Sequence, residues 1–521
     1  MNRLFPSESA EKSFRLHVSQ ATFSVRLLIN IAILTRKIFG SNASKIPLIR
    51  IACGPLEALV AMHDAEPGGD RVMNSPHLES CGVSANTEDQ IWDLCVAGSG
   101  PGGSVVAAKA ARKGQSVIVI EEGGPVNDSV GHHTVSQMMA DFKNGGQEVV
   151  LGPNPVPFAQ GQAWGGGSEI NSGLYHRLPK SVEVIWRKAT GLSARELSVA
   201  VDEVKKGMPV EKQSLASLGC YANSPIEAIK KSLRMEGGLV PRWRNYSSGD
   251  FQHYGMAATY LLAAISQGAE RAMRHKVTRL KIVPEGVRVY FSGPACSHDL
   301  VARAVSLSAG VLGTPEILWR SRIASPREFS FGFHAMIREV ARYDRAVNDL
   351  VDIDPHQAWT ANNQFKIGAA VSTRGLLAAT MAQKGLPFPS NPERFAAFYI
   401  SFASEGKNGL VKIGNHLAPY FLPSRAMKAL GDDAARLLRK GIEASGGTLL
   451  GKPTNRYSTV HVFGSIPLGS TELVDGLGYV RGTQKRVFVR DASLLPSHPQ
   501  VNPQGPLMHL VTALENRRLG I

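Results

Sequence analysis

Two glycine-rich turns are the parts of this 521-residue sequence best suited to chemistry. The first, Gly98-Ser99-Gly100-Pro101-Gly102-Gly103, follows a short apolar run and has the G-x-G-x-x-G spacing. Gly98 permits a tight turn, Gly100 lets a pyrophosphate reach backbone amides, and Gly103 lets the next helix pack closely on its strand, with Gly102 beside it. A helix starting there adds free amides and the positive end of its dipole. Glu121 stands 23 residues after Gly98, where a carboxylate would accept hydrogen bonds from ribose hydroxyls. These features together describe a dinucleotide site. An acid in place of an arginine disfavours NADP and leaves NAD and FAD open. The second turn, Gly161 to Tyr175, runs through Trp164, Gly165, Gly166, Gly167 and Ser168 into Asn171. A mere tight loop would not require Asn171 and Tyr175 at those offsets.

The elements needed to hold these turns are legible around them. Ile91–Ala97 reads as a buried parallel strand, Ser104–Arg112 as a helix stopped near Gly114, and Val117–Ile120 as a second β-branched strand. Val277–Leu280, Val287–Phe291, Val305–Leu307 and Val487–Val489 read as further strands, and Leu507–Arg518 as a closing helix. Alternating segments between Phe331 and Arg374, and from Phe395 to Gly414, predict antiparallel strands of a second domain.

From Trp92 onward the chain resembles the glucose–methanol–choline (GMC) oxidoreductases, a family of FAD flavoproteins. Gly161 to Tyr175 has the form of the family's first signature, with Gln162 and Leu178 as departures and Pro179 one place late. Leu307 to Leu318 resembles the second signature, with Arg322 where the family has a glycine. Phe331 to His334 resembles the start of the substrate-domain sheet. His461-Val462-Phe463-Gly464-Ser465 through Gly469, and Asp491 to Pro496 followed by Val501-Asn502-Pro503, resemble the two closing motifs. The resemblance implies an α/β fold. A discontinuous Rossmann-like FAD domain would comprise residues 91–175, 255–325 and 455–521. A substrate domain of antiparallel sheet and helices would comprise 176–254 and 326–454, and 1–90 would be a basic, partly helical extension. It implies His461 and Asn502 as the catalytic pair beside flavin N5. Cofactor contacts would come from Gly98, Gly100, Gly102, Gly103, Glu121, Trp164, Gly165, Gly166, Ser168, Asn171, Val277, Asp491, Ala492, Asn502 and Pro503. Some members bind flavin covalently through a His before the signature Asn; that position is Ile170, so FAD is expected to be non-covalent. His334, His176, His253 and His509 lack motif support and read as structural.

The expected reaction is oxidation of a CH–OH group, of a sugar, polyol or glycoside, to a carbonyl. A hydride would go to the flavin and a proton to His461, whose imidazole titrates near ~6.5 when unperturbed. The partners would be a small-molecule alcohol and an electron acceptor, oxygen or a redox partner. Two alternatives share features of the chain: an NAD-dependent dehydrogenase built on the first turn, and a membrane- or polyanion-associated flavin-binding scaffold with a degenerate site. Composition bounds the rest. At 43% hydrophobic and 19% charged residues, the chain is neither a disordered tail nor a membrane bundle. The net charge is +15, and residues 1–50 hold eight basic and two acidic side chains. No basic run interleaves with aromatics, which argues against nucleic acid. Ala21–Gly40 is too short in its apolar run to span a membrane, and its Arg26, Arg36 and Lys37 suit a basic amphipathic helix making a peripheral membrane contact. Five scattered cysteines favour a reducing compartment, hence a cytoplasmic location, and no metal-ligand spacing occurs.

Overall fold

The computed structural model describes residues 90–126, 135–247, 250–253, 255–294, 297–451 and 456–521. The basic segment Ala21–Gly40 lies outside them. Two seven-stranded sheets dominate. In the first, strands Glu270–Met273, Val117–Glu121, Ile91–Ala97, Ser297–Leu307 and Val487–Val489 run parallel, and Gly286–Ser292 and Lys276–Val283 extend it antiparallel. The central strands are continuous apolar runs because a parallel strand is covered on both faces. Val96, Ala97, Val117 and Val119 are fully buried.

The helix after the first turn spans Pro101–Arg112, three residues earlier than the small-residue pattern predicts. Proline suits this start: its ring presets the helical φ, and the amide it lacks would have been unpaired there. The last helix, Gln504–Leu519, is buried from Gly505 to Glu515. It therefore behaves as a core helix, apolar nearly all round. Its Glu515 is tolerated because Arg490 Nε donates to it at 2.9 Å and Arg518 Nε at 2.8 Å.

The second sheet is antiparallel, ordered Thr448–Leu450, Gly332–Arg342, Phe395–Ala403, Lys366–Ala369, His356–Trp359 and Glu236–Leu239, with Val462–Phe463 on the other end of Gly332–Arg342. Helix Arg425–Ala444, capped by Ser424 accepting from Met427 N at 3.0 Å, packs on it. The alternation expected through Gly414 ends earlier: Gly406–Ile413 leaves the sheet and pairs with His416–Pro423 as a separate hairpin. Gly409 there has φ +157°, and Gly406 has φ +156°, so the segment begins with backbone that bends out of a regular ladder. Among the described residues, no helix is long and apolar enough to cross a membrane.

The altered second signature has a backbone explanation. Arg322 follows helix Gly310–Arg320 with φ +60°, and the chain closes with Arg322 N donating to Trp319 O and Ile323 N to Leu318 O, both at 3.0 Å. A left-handed residue at this point of a helix end is the position glycine normally fills. An arginine carries a Cβ penalty of roughly 1 kcal/mol there. Arg322→Gly is therefore expected to raise stability by up to about 1 kcal/mol. Urea unfolding of the two proteins checks this; an equal or lower midpoint for the glycine variant would refute it.

Candidate active site

The two glycine turns pack backbone to backbone. A Cβ on Gly166 would lie 2.7 Å from Gly100 Cα. Ser99 locks them: its Oγ donates to Glu121 Oε2 at 2.6 Å and accepts from Gly165 N at 2.9 Å. Glu121 also accepts from Ser99 N and Gly123 N, each at 2.8 Å. Burial pushes its pKa up while these donors pull it down. A carboxylate offers about four acceptor positions, so three inward bonds leave one for a ribose hydroxyl.

The glycines of the first turn differ in what requires them. A Cβ on Gly98 would strike Ser308 O at 2.2 Å, on Gly102 Arg490 O at 1.7 Å, and on Gly103 Gly98 O at 2.1 Å. Gly100, with φ −63°, meets no protein atom within 4 Å. Neither backbone conformation nor packing demands glycine at 100. The open space in front of it does, at the start of a helix whose first amides have no intrahelical partner.

That space opens into a cavity of about 770 Å³. Its wall includes Gly98, Gly100, Gly102, Glu121, Gly166, Ser168 and Asn171 at one end. Val277, Asp491, Ala492, Asn502, Pro503 and His461 also line it. Gly103, Trp164 and Gly165 do not. Gly103 is turned into its helix–strand contact, Trp164 is buried with its amide on Gly124 O, and Gly165 (φ +104°) spends its amide on Ser99. These three shape the turns and do not form the wall. Beside Val277, the register steps from Arg279–Tyr290 to Val277–Phe291, so Thr278 is a bulge residue whose backbone leaves the ladder at the cavity. Asp491 Oδ2 accepts from Gly310 N at 2.9 Å and Oδ1 from Ser493 N at 2.8 Å, tying a helix start to the closing motif.

His461 and Asn502 come from different sheets' surroundings. His461 precedes the edge strand Val462–Phe463, and its carbonyl accepts from His334 N at 3.1 Å. Its Nδ1 lies 3.0 Å from His334 Nδ1, which leaves Nε2 as the nitrogen available to the cavity. Burial first, then neighbouring cationic and imidazole groups, holds both rings well below the ordinary 6.5. They are neutral at neutral pH, so one facing nitrogen donates and the other accepts. Asn502 precedes the last helix; Lys366 Nζ donates to its Oδ1 at 2.7 Å. That bond turns the amide's NH₂ away from Lys366. Burial brings the Lys366 pKa down to about 7.

His334 is therefore no spectator, although the sequence offers it no motif. Its signal is alternation: His334, Met336 and Arg338 share one face of Gly332–Arg342. Lys366, a lone cation in a fully buried strand, is the other. His498 lies against His334 with ring centroids 4.2 Å apart and planes tilted by 43°. His176 bonds Gln357 Oε1 through Nε2 at 2.8 Å, and His509 meets Tyr175 Oη at 3.3 Å. Among the described residues, no His/Cys/Asp/Glu group could hold a metal ion.

A family model described as GMC oxidoreductase matches residues 101–232. An uncharacterized GMC-type oxidoreductase of Sinorhizobium fredii is 26% identical over 497 residues, covering 82% of this chain and 95% of the relative. A long-chain-alcohol oxidase of Arabidopsis thaliana is 22% identical over 504 residues, covering 82% of this chain and 66% of the relative. Two solved structures share the fold at 15% identity. Pyridoxine 4-oxidase from Mesorbium loti has a TM-score of 0.64 over 82% of this chain and 99% of its own. Formate oxidase from Aspergillus oryzae RIB40 has 0.66 over 83% and 99%. The likeness to GMC oxidoreductases thus rests on the family model at residues 101–232 and on relatives aligned along 82% of the chain. The chain is an FAD-dependent oxidoreductase, and the residues present fit that cofactor: the glycine at 100 is needed only by something outside the protein.

Gly100→Ala is expected to fold and to lose FAD, whereas Gly102→Ala is expected to lose stability as well, because its methyl group overlaps a buried carbonyl. Absorbance of purified protein and thermal unfolding of the apo forms separate the two. A Gly100→Ala protein that copurifies with full FAD would contradict the assignment.

Proposed function

We infer that the protein oxidises an alcohol R–CHOH to its carbonyl. The observation that carries this reading is that His461 and Asn502 line the same cavity as the glycine turns, with one ring nitrogen and one amide NH₂ left unbonded to each other's supports. FAD, when bound, supplies the acceptor for the hydride from the carbinol carbon. His461 Nε2 takes the hydroxyl proton, which is useful because its lowered pKa keeps it in the base form. The Asn502 NH₂ donates to the substrate oxygen and fixes its orientation, and Lys366 holds that amide in the donating rotamer. Ile170, on the cavity wall, offers no atom for a flavin bond, in keeping with non-covalent FAD. Within this reaction, a sugar, polyol or glycoside is the specific class expected from the sequence; Thr380, Gln383 and Tyr399 on the wall are groups that can hold further hydroxyls. The aligned long-chain-alcohol oxidase and pyridoxine 4-oxidase support alcohol oxidation as the general chemistry.

His461→Ala should retain FAD and slow its anaerobic reduction by about 10²–10⁴-fold. Stopped-flow bleaching at wild-type speed would sink the assignment. The base must be unprotonated to act, and its pKa is shifted down, so the acid limb of the reduction rate should fall below pH 6.5. A limb above that value in the wild-type pH profile would contradict it.

A further inference from the structure

The sheet face over the cavity carries a charge that nothing among the described residues answers. On Gly332–Arg342, His334 meets His461, and Met336 and Arg338 line the cavity two and four residues further along. Among the described residues, Arg338 makes no ion pair or side-chain hydrogen bond, and its Nε is buried without a partner. Its cross-strand neighbour is Tyr399, which burial keeps as a neutral phenol. Burial pulls the Arg338 pKa down, and among the described residues only Tyr399 opposes it. A guanidinium nevertheless stays charged, and the half-buried Arg338 holds that charge on the cavity wall.

The acids on the cavity wall have partners of their own: Glu121 accepts from Ser99 and Gly123, Asp491 from Gly310 and Ser493, and Glu148 from Gln160 Nε2 at 2.7 Å. Glu122 pairs with Lys143 and Lys276, at 3.5 and 3.4 Å, and Glu316 with Arg320 at 2.6 Å. Lys366, a buried cation on the same sheet, has the neutral Asn502 as its partner. The wall residues that the strands place beside Arg338 are uncharged: Met336, two residues back on the same face, and Tyr399, opposite it. A charge on a low-dielectric wall, left without a counter-ion among the described residues, attracts a ligand group of the opposite sign.

Resting on the alcohol oxidation inferred above, we propose that the substrate is an alcohol bearing an anionic oxo group, carboxylate or phosphate, and that Arg338 binds that group while His461 receives the hydroxyl proton. Four residues of strand separate His334 from Arg338, roughly 13 Å between Cα atoms, so the anion lies several bonds from the reacting carbon. The planar guanidinium matches either oxo group bidentately. Arg338 is here a specificity residue, acting on KM.

The test uses FAD-loaded protein. Hexanoate, hexyl phosphate and hexanamide are titrated against the visible flavin spectrum, and the ω-hydroxy derivative of each is used to bleach the flavin anaerobically. One of the two anions is expected to bind and to react, in kcat/KM, roughly a hundredfold better than the amide; which one identifies carboxylate or phosphate. Arg338→Met should erase the preference through KM with the limiting reduction rate kept, and Arg338→Lys should restore part of it. Equal binding of amide and anions by the wild type overturns the proposal, as does an Arg338→Met variant that loses charged and neutral alcohols equally. Reduction by neutral alcohols alone defeats the anion site and leaves the oxidation standing. No reduction by any alcohol, with hexanoate or hexyl phosphate still preferred, defeats the oxidation and leaves the anion site standing.

Discussion

The close contact between the two glycine turns is the constraint on which the site depends. With Gly166 against Gly100 and the Ser99 hydroxyl bonded to both Glu121 and Gly165 N, the end of one strand fixes where the second turn lies. From there the consequences run along the chain. Asn171, five residues past Gly166, donates to Gln504 Oε1 at 2.6 Å, and Gln504 opens the helix that follows Asn502. Asn502 in turn accepts from Lys366 on the antiparallel sheet. Buried and partly buried polar contacts thus link the two glycine turns to the antiparallel sheet through Gln504 and Asn502. Where such a contact is shielded from water, losing it leaves its partner unsatisfied, which favours a single arrangement.

The first sheet was legible because its strands are uninterrupted apolar runs bounded by glycine turns. Ile91–Ala97 and Val117–Glu121 emerge within a residue of their expected limits. The strands that escaped notice are those whose residues lack a pattern of their own. Glu270–Met273 is half polar and sits at the sheet edge, and Glu236–Leu239 contains Gly237 and Gly238, both at positive φ. Tertiary pairing, and not propensity, makes them strands.

The site divides in the same way. Residues in glycine-rich motifs could be located because backbone geometry imposes a residue type on the sequence. Arg338, Lys366, His334 and His498 could not, because they converge only when strands separated in sequence are laid side by side; Lys366 stands opposite Ser401 and Arg338 opposite Tyr399. Trp164 shows the converse. Its place in a signature suggested contact with a ligand, yet signatures also preserve the packing that holds a turn in shape, and Trp164 is buried behind the wall.

The histidine pair carries a requirement of its own. With both rings neutral and their Nδ1 atoms 3.0 Å apart, a single proton lies between them. If it belongs to His334, then His461 bears its own proton on Nε2 and can only donate to the cavity. If it belongs to His461, Nε2 is a lone pair and can accept, but His334 must then carry a proton on its Nε2, an atom buried without a partner. His334 Nε2 is unpaired in either case, as an acceptor in the first and as a donor in the second, so neither tautomer escapes that cost. An alcohol that gives up its proton to His461 needs the accepting form. On the alcohol oxidation inferred above, the base is therefore one of two neutral tautomers, and burial first, with neighbouring cationic and imidazole groups second, keeps both rings unprotonated so that the choice exists.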